Sequence, residues 1–276
     1  MKNTLLGIAL AISLSNVAIA QKKEKEVKYE KLFYKDVIKE TSDVKISIDN
    51  AVSTAGETKF KLKITNLSAN YIIYKPEESK FIVNGKEMVP KEKWLIIKPN
   101  ESDFRVINMK GSAFNEVKAY SFVVGGLYAV LAKGKAVEVQ NFDLPASKNE
   151  FTAGDFTCTM SDIYKQSDKT EVKFKCAYNG KKIGFIQPAE ASVLMPDGKE
   201  YANAKSKGGV ILIMKGQNDT FTLKWDRMEG GKKMDMQKVP MTIVWHETFR
   251  ESELNSIGSE KLELEFDEET TKLKNK

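Results

Sequence analysis

Apolar residues recur at every second position over several stretches of this chain. Val44, Ile46 and Ile48 alternate with lysine, serine and aspartate, and Phe60, Leu62 and Ile64 alternate with lysine. The same pattern returns in Val172, Phe174 and Cys176, and in Phe221, Leu223 and Trp225. Side chains of an extended chain point alternately to opposite faces, so this pattern predicts antiparallel strands with one face on a core and one in water. Turn-forming pairs separate the runs: Asn84-Gly85, Pro99-Asn100, Asp197-Gly198 and Gly230-Gly231. Many short strands with such punctuation predict an all-β sandwich.

The pattern is written twice. Thr58–Asn66 aligns with Thr170–Asn179, Lys75-Pro76-Glu77-Glu78-Ser79 with Gln187-Pro188-Ala189-Glu190-Ala191, and Phe81–Glu87 with Val193–Glu200. Further on, Ile97–Val106 aligns with Met214–Leu223, which places Phe104 against Phe221, and Lys135–Asn141 aligns with Glu260–Phe266. The offset grows between strands, where insertions cost least. The division expected from this repeat is a signal peptide at 1–20, a charged lead-in at 21–42, one domain at 43–146, a second at 147–266 and a charged tail at 267–276. The lead-in reads as solvated or as a short amphipathic helix carrying Val27, Leu32, Phe33 and Val37. The tail reads as frayed.

The run Lys63-Ile-Thr-Asn-Leu-Ser68, the Asn84-Gly-Lys-Glu87 hairpin and the Lys98-Pro-Asn-Glu-Ser102 turn come in an order that resembles the immunoglobulin-like domains of exported bacterial proteins. The resemblance covers about residues 43–142 and again 155–266. It implies two tandem immunoglobulin-like antiparallel β-sandwich domains after a signal peptide, and it brings no catalytic residues with it.

Composition narrows the classes. With 41% hydrophobic and 30% charged residues, the chain is neither disordered nor a multispan membrane protein. Its formal charge is +6, yet arginine occurs only at 105, 227 and 250. Base and phosphate readers favour arginine, and a scattered lysine coat argues against nucleic acid. Lys2, the apolar run Leu5–Leu14 and Ala18-Ile19-Ala20 form an export leader, with cleavage expected before Gln21. A periplasmic or extracellular location is expected.

Candidate chemistry is sparse. Cys158 and Cys176 fall on adjacent strands, facing the same side, and in an exported chain they are expected to form a disulfide; two buried thiols would fit the same facing. His246, the sole histidine, reads as a rim residue opposite in facing to Trp245. Glu78 and Glu190 occupy one place in both copies, but in separate domains, which argues against the close carboxylate pair of a glycosidase. Met228, Met234 and Met236 could supply soft ligands to copper, with Lys232 and Lys233 opposing a cation. Trp94, Tyr71 and Tyr74 could stack on sugar, although alternation favours core or rim positions. Gly125–Ala132 is unusually apolar for a connection. It reads as a short helix packed on its own sandwich, or as a contact surface for the other domain or a protein partner through Leu127, Tyr128, Val130 and Leu131. The expectation is an exported, non-enzymatic binding or scaffold protein of the cell envelope that needs no cofactor and no metal. Carbohydrate binding is the alternative, followed by a hydrolase.

Overall fold

The structure is a computed structural model and describes residues 27–204, 209–227 and 235–276. The leader at 1–20, together with Met228 and Met234, lies outside the described residues. The first half forms β1 (Leu32–Phe33), β2 (Val37–Glu40), β3 (Val44–Ser53), β4 (Glu57–Asn66), β5 (Tyr71–Tyr74) and β6 (Lys80–Val83). It continues through β7 (Lys86–Met88), β8 (Leu95–Ile97), β9 (Ser102–Lys110), β10 (Ala119–Val124) and β11 (Leu127–Val130). The second half begins with β12 (Lys135–Ala136), β13 (Phe142–Leu144), β14 (Glu150–Ala153), β15 (Phe156–Lys165), β16 (Lys169–Tyr178) and β17 (Ile183–Ile186). Then come β18 (Ser192–Leu194), β19 (Glu200–Ala202), β20 (Ile211–Ile213), β21 (Asn218–Asp226), β22 (Met241–Val244) and β23 (Phe249–Ser252). The chain closes with β24 (Asn255–Ser256), β25 (Glu260–Glu265) and α1 (Glu268–Lys274).

The molecule is mostly β, in several antiparallel sheets, with no barrel among the described residues. Each alternating run of the sequence is a strand that buries the expected residues: Val44, Ile46 and Ile48 on β3, and Phe60, Leu62 and Ile64 on β4. In the second half, Val172, Phe174 and Cys176 on β16 face Leu223, Phe221 and Asp219 on β21. Cys158 on β15 pairs directly with Cys176, and the two form a disulfide. The same register in the first half puts Ile46 opposite Ile64.

The halves are not divided at residue 146. The β12 strand pairs with β23 and β13 with β22, so residues 135–144 complete sheets of the second half. Conversely, β24 pairs with β11 and β25 with β10, completing sheets of the first. Phe142 lies opposite Ile243, and Leu262 lies opposite Phe122 at the corresponding place. The last strand of each copy therefore closes the other copy's sheet. Leu262 and Leu264 belong to the first core with Phe81 and Phe122, while Phe142 and Leu144 belong to the second with Phe174 and Trp245.

A third cluster joins the halves: Tyr71, Ile73 and Val130 from the first, Ile183, Phe185 and Met214 from the second. Tyr71 and Phe185 meet edge to face at 5.7 Å. This explains why β5 and β17 read as unbroken apolar runs. Ile72 and Tyr74 face the first core while Tyr71 and Ile73 face the junction, so the strand is covered on both sides.

Both charged ends are structured. From residue 27 on, the lead-in is not a helix: Leu32 and Tyr34 bury in the first core, because β1 and β2 pair with β3. Hydroxyls run from Tyr34 to Ser53, Thr58 and Tyr120 in steps of 2.9, 2.8 and 3.0 Å, and the Tyr34 hydroxyl also donates to the Val117 carbonyl at 2.7 Å. Burial pushes the Tyr34 pKa up to about 12. Nor is the tail frayed. The Asp267 side chain caps α1 by accepting the Thr270 amide, and the amide of Phe33 donates to buried Thr271 at 2.9 Å.

If the exchanged strand holds the first core together, Leu264→Ala will cost about 2–5 kcal/mol. Hydrogen exchange will then show lost protection in β6 and β10 and retained protection in β15 and β16. Replacing both cysteines with alanine opens an 18-residue separation and will lower stability by about 3 kcal/mol, read by chemical denaturation.

Candidate functional site

Four regions hold the residues with chemical promise. The first is the apolar connection at 125–132. It forms β11, not a helix, because Gly125 and Gly126 turn the chain sharply out of β10. A Cβ on Gly125 would lie 2.2 Å from the Glu78 carbonyl, and Gly126 has a φ of +68°. Leu127 is buried in the first core and Val130 in the junction. The Tyr128 hydroxyl donates to Glu78 at 2.6 Å, and only Leu131, 54% exposed, points to solvent among the four candidate contact residues.

Beside β11, the Lys75 ammonium lies between two rings, 4.5 Å from the centre of Trp94 and 4.6 Å from that of Tyr128. The indole N–H of Trp94 donates to Glu77 at 2.6 Å. Tyr71 and Tyr74 are buried, so they make no open stacking platform with Trp94. Met236 is buried in the second core. Among the described residues, no group of three or more His, Cys, Asp or Glu side chains is placed to hold a metal.

The third region was not foreseen. Pairing of β18 with β19 and β22 brings Ser192, Glu200 and His246 together at a shallow pocket of about 270 Å³ that Glu190 also lines. Glu78 is engaged by Tyr128 in the other half, so the two repeated glutamates serve separate neighbourhoods. Glu200 contacts both the Ser192 hydroxyl and the His246 Nε2, and Ser192 Oγ lies 3.1 Å from that same nitrogen. A serine nucleophile needs its hydroxyl directed at a free imidazole nitrogen, with the carboxylate on the opposite ring nitrogen. Here one carboxylate oxygen takes both groups and one ring nitrogen serves both partners. The arrangement ties a hairpin to its neighbour. At the corresponding place in the first half, Lys80 pairs with Glu87 at 2.7 Å.

The fourth region is the outer face of the sheet formed by β2, β3, β4 and β9. Register places Ile38, Ser47, Lys63 and Phe104 in one row across it, and Asp49, Lys61 and Val106 in the next. Ile38 is 63% exposed, and Phe104 and Val106 are each 51% exposed. The Lys61 ammonium lies 4.6 Å from the centre of the Phe104 ring. The sequence alignment missed this surface by one residue. Arg105, not Phe104, is the counterpart of Phe221, since Arg105 lies opposite Leu62 as Phe221 lies opposite Phe174. A slip of one residue moves every side chain to the other face. The second half therefore carries Thr220 and Thr222 where the first carries Phe104 and Val106.

No family model matches the chain, and no curated protein matches it. Among solved structures, a β-glucosidase from Kluyveromyces marxianus bound to glucose aligns over 86% of this chain at 7% identity, with a TM-score of 0.23. This chain spans half the length of that enzyme. AerE from Microcystis aeruginosa aligns over 82% of this chain and 99% of its own length at 9% identity, with a TM-score of 0.12. Likeness this slight carries no argument about fold or activity.

Hydrogen bonding from Ser192, then from His246, holds the Glu200 carboxyl below its ordinary value of 4.5. A lowered carboxyl pKa adds stability above the ordinary value and loses it as the pH falls through the lowered one. Glu200→Gln will therefore destabilise the protein at neutral pH, by less than about 1 kcal/mol because the site is exposed. The gap from the unmodified protein will close below about pH 4.5, as read from denaturation midpoints.

Proposed function

We propose that this protein is an exported, non-enzymatic binding module of the cell envelope, built as two immunoglobulin-like β-sandwiches, which contacts a protein partner through the outer sheet face of the first half. The observation that carries the reading is the pair Phe104 and Val106, exposed on the water-facing side of an edge strand where the repeated strand bears threonines. Exposed apolar side chains clustered on one face mark contact surfaces more often than they serve folding. Ile38 extends the surface to about 14 Å across three strand spacings. The leader and the Cys158–Cys176 disulfide support export, since disulfides persist in oxidising compartments.

The rival readings draw less support. A sugar platform would use aromatic faces that here are buried or closed around Lys75. A hydrolase would rest on Ser192, whose hydroxyl is directed at Glu200.

The test is crosslinking and capture from the native envelope with the mature chain and with Phe104→Thr/Val106→Thr, which installs the residues of the second half. The expected result is one partner at near-stoichiometric yield, lost in the variant at unchanged or slightly raised melting temperature. Equal capture by the variant would overturn the reading.

A further inference from the structure

We infer that the partner element received by this face is an acidic protein segment with an apolar centre, laid across the strands; the inference rests on the function proposed above. Three observations on one surface lead there. The exposed apolar residues Phe104 and Val106 are flanked on β4 by Lys59, Lys61 and Lys63, which share their face. Lys59 has a carboxylate nearby in Glu57 at 3.2 Å, whereas the Lys61 ammonium rests over the Phe104 ring and Lys63 stands between Ser47 and Phe104. Asp49 opposite Lys61 offsets part of the charge and leaves the face positive. A carboxylate beside a docked apolar side chain would meet an ammonium already held at the apolar surface.

The edge itself is the less suitable docking place, although β9 ends its sheet. An added strand needs the outward backbone groups of β9. The Phe104 amide donates to the Asp103 carboxylate at 2.7 Å, and the Asn108 amide donates to Glu92 at 2.8 Å. These two bonds cap the edge on either side of Val106 and protect it from strand addition. The side-chain face remains open while the backbone edge is guarded, which favours a segment lying on the sheet.

The second half supplies an internal control. Lys173 and Lys175 on β16 correspond to Lys61 and Lys63, but their neighbours across the pair are Thr222 and Thr220. The second face also carries one exposed ring, Tyr164, with the Lys169 ammonium 5.4 Å from its centre, but it lies opposite Glu171; the paired apolar residues Phe104 and Val106 beside Lys61 and Lys63 belong to the first.

The mature chain would be titrated with a soluble peptide carrying glutamates around a single Leu-Phe pair, and with the same peptide bearing lysines for glutamates, followed by amide chemical shifts. The expected result is binding of the acidic peptide only, weakening with salt, with shifts confined to β2, β3, β4 and β9. Lys61→Glu/Lys63→Glu should weaken it about tenfold or more, and Lys173→Glu/Lys175→Glu should leave it unchanged. Circular dichroism would confirm that both variants fold. Binding that ignores the Lys61/Lys63 reversal would overturn the inference. So would shifts elsewhere on the molecule, binding only to phosphatidylglycerol vesicles, or self-association through this face seen by sedimentation. If envelope capture depends on Phe104 and Val106 but survives the charge reversal, the acidic chemistry falls and the binding function stands. If capture depends on neither, both fall.

Discussion

The reciprocal pairing of β25 with β10 and of β13 with β22 is the constraint on which the rest of this structure depends. An antiparallel sheet leaves a row of backbone donors and acceptors at its edge, and a sandwich leaves an open slot into its core until the last strand is seated. In each half the slot is filled by two large apolar side chains from the other copy, Leu262 and Leu264 in one, Phe142 and Leu144 in the other. Neither half then has a complete core from its own repeat. The junction cluster around Ile73, Val130 and Phe185 follows from this, because the crossing strands hold β11 and β23 near one another. The two-sided burial of β5 and β17 follows in turn.

Against this closed framework the outer face of the first half stands apart. The apolar candidates at 127, 128 and 130 serve the first core, the box around Lys75 and the junction in turn, and the histidine cluster occupies a place held by an ordinary ion pair in the other copy. Ile38, Phe104 and Val106 have no such internal use. Their exposure is a cost in water that the threonines of β21 avoid, and this contrast is what gives the surface functional weight.

Much of the fold was legible in the chain because period-two alternation reports facing directly. All the apolar positions named in β3, β4, β16 and β21 are buried; Trp245 is buried and His246 exposed, but the turn after β22, where His246 has a φ of +42°, sets that contrast and not strand alternation. The two cysteines met because strand register needs only a hairpin to be set. Destination was another matter. The final strands of the two copies carry the same alternation, so nothing local distinguishes a strand that returns to its own sheet from one that crosses. The face of β9 was missed for a related reason: Phe104 and Phe221 match as letters, while a one-residue difference in loop length sends them to opposite sides. The cluster at Ser192 draws on two strands and the turn after a third, and only their pairing assembles it.

The position of β25 near the end of the chain has a consequence in time. A chain that emerges N-terminus first presents all of β12 to β23 before Glu260 appears, so every strand of the second half is available while the first still lacks its closing one. The half made first is thus the half finished last. Until then Phe81 and Phe122 line an unclosed groove. The interval between those two events is when the first half is most exposed to wrong partners, and the last strand to arrive ends it.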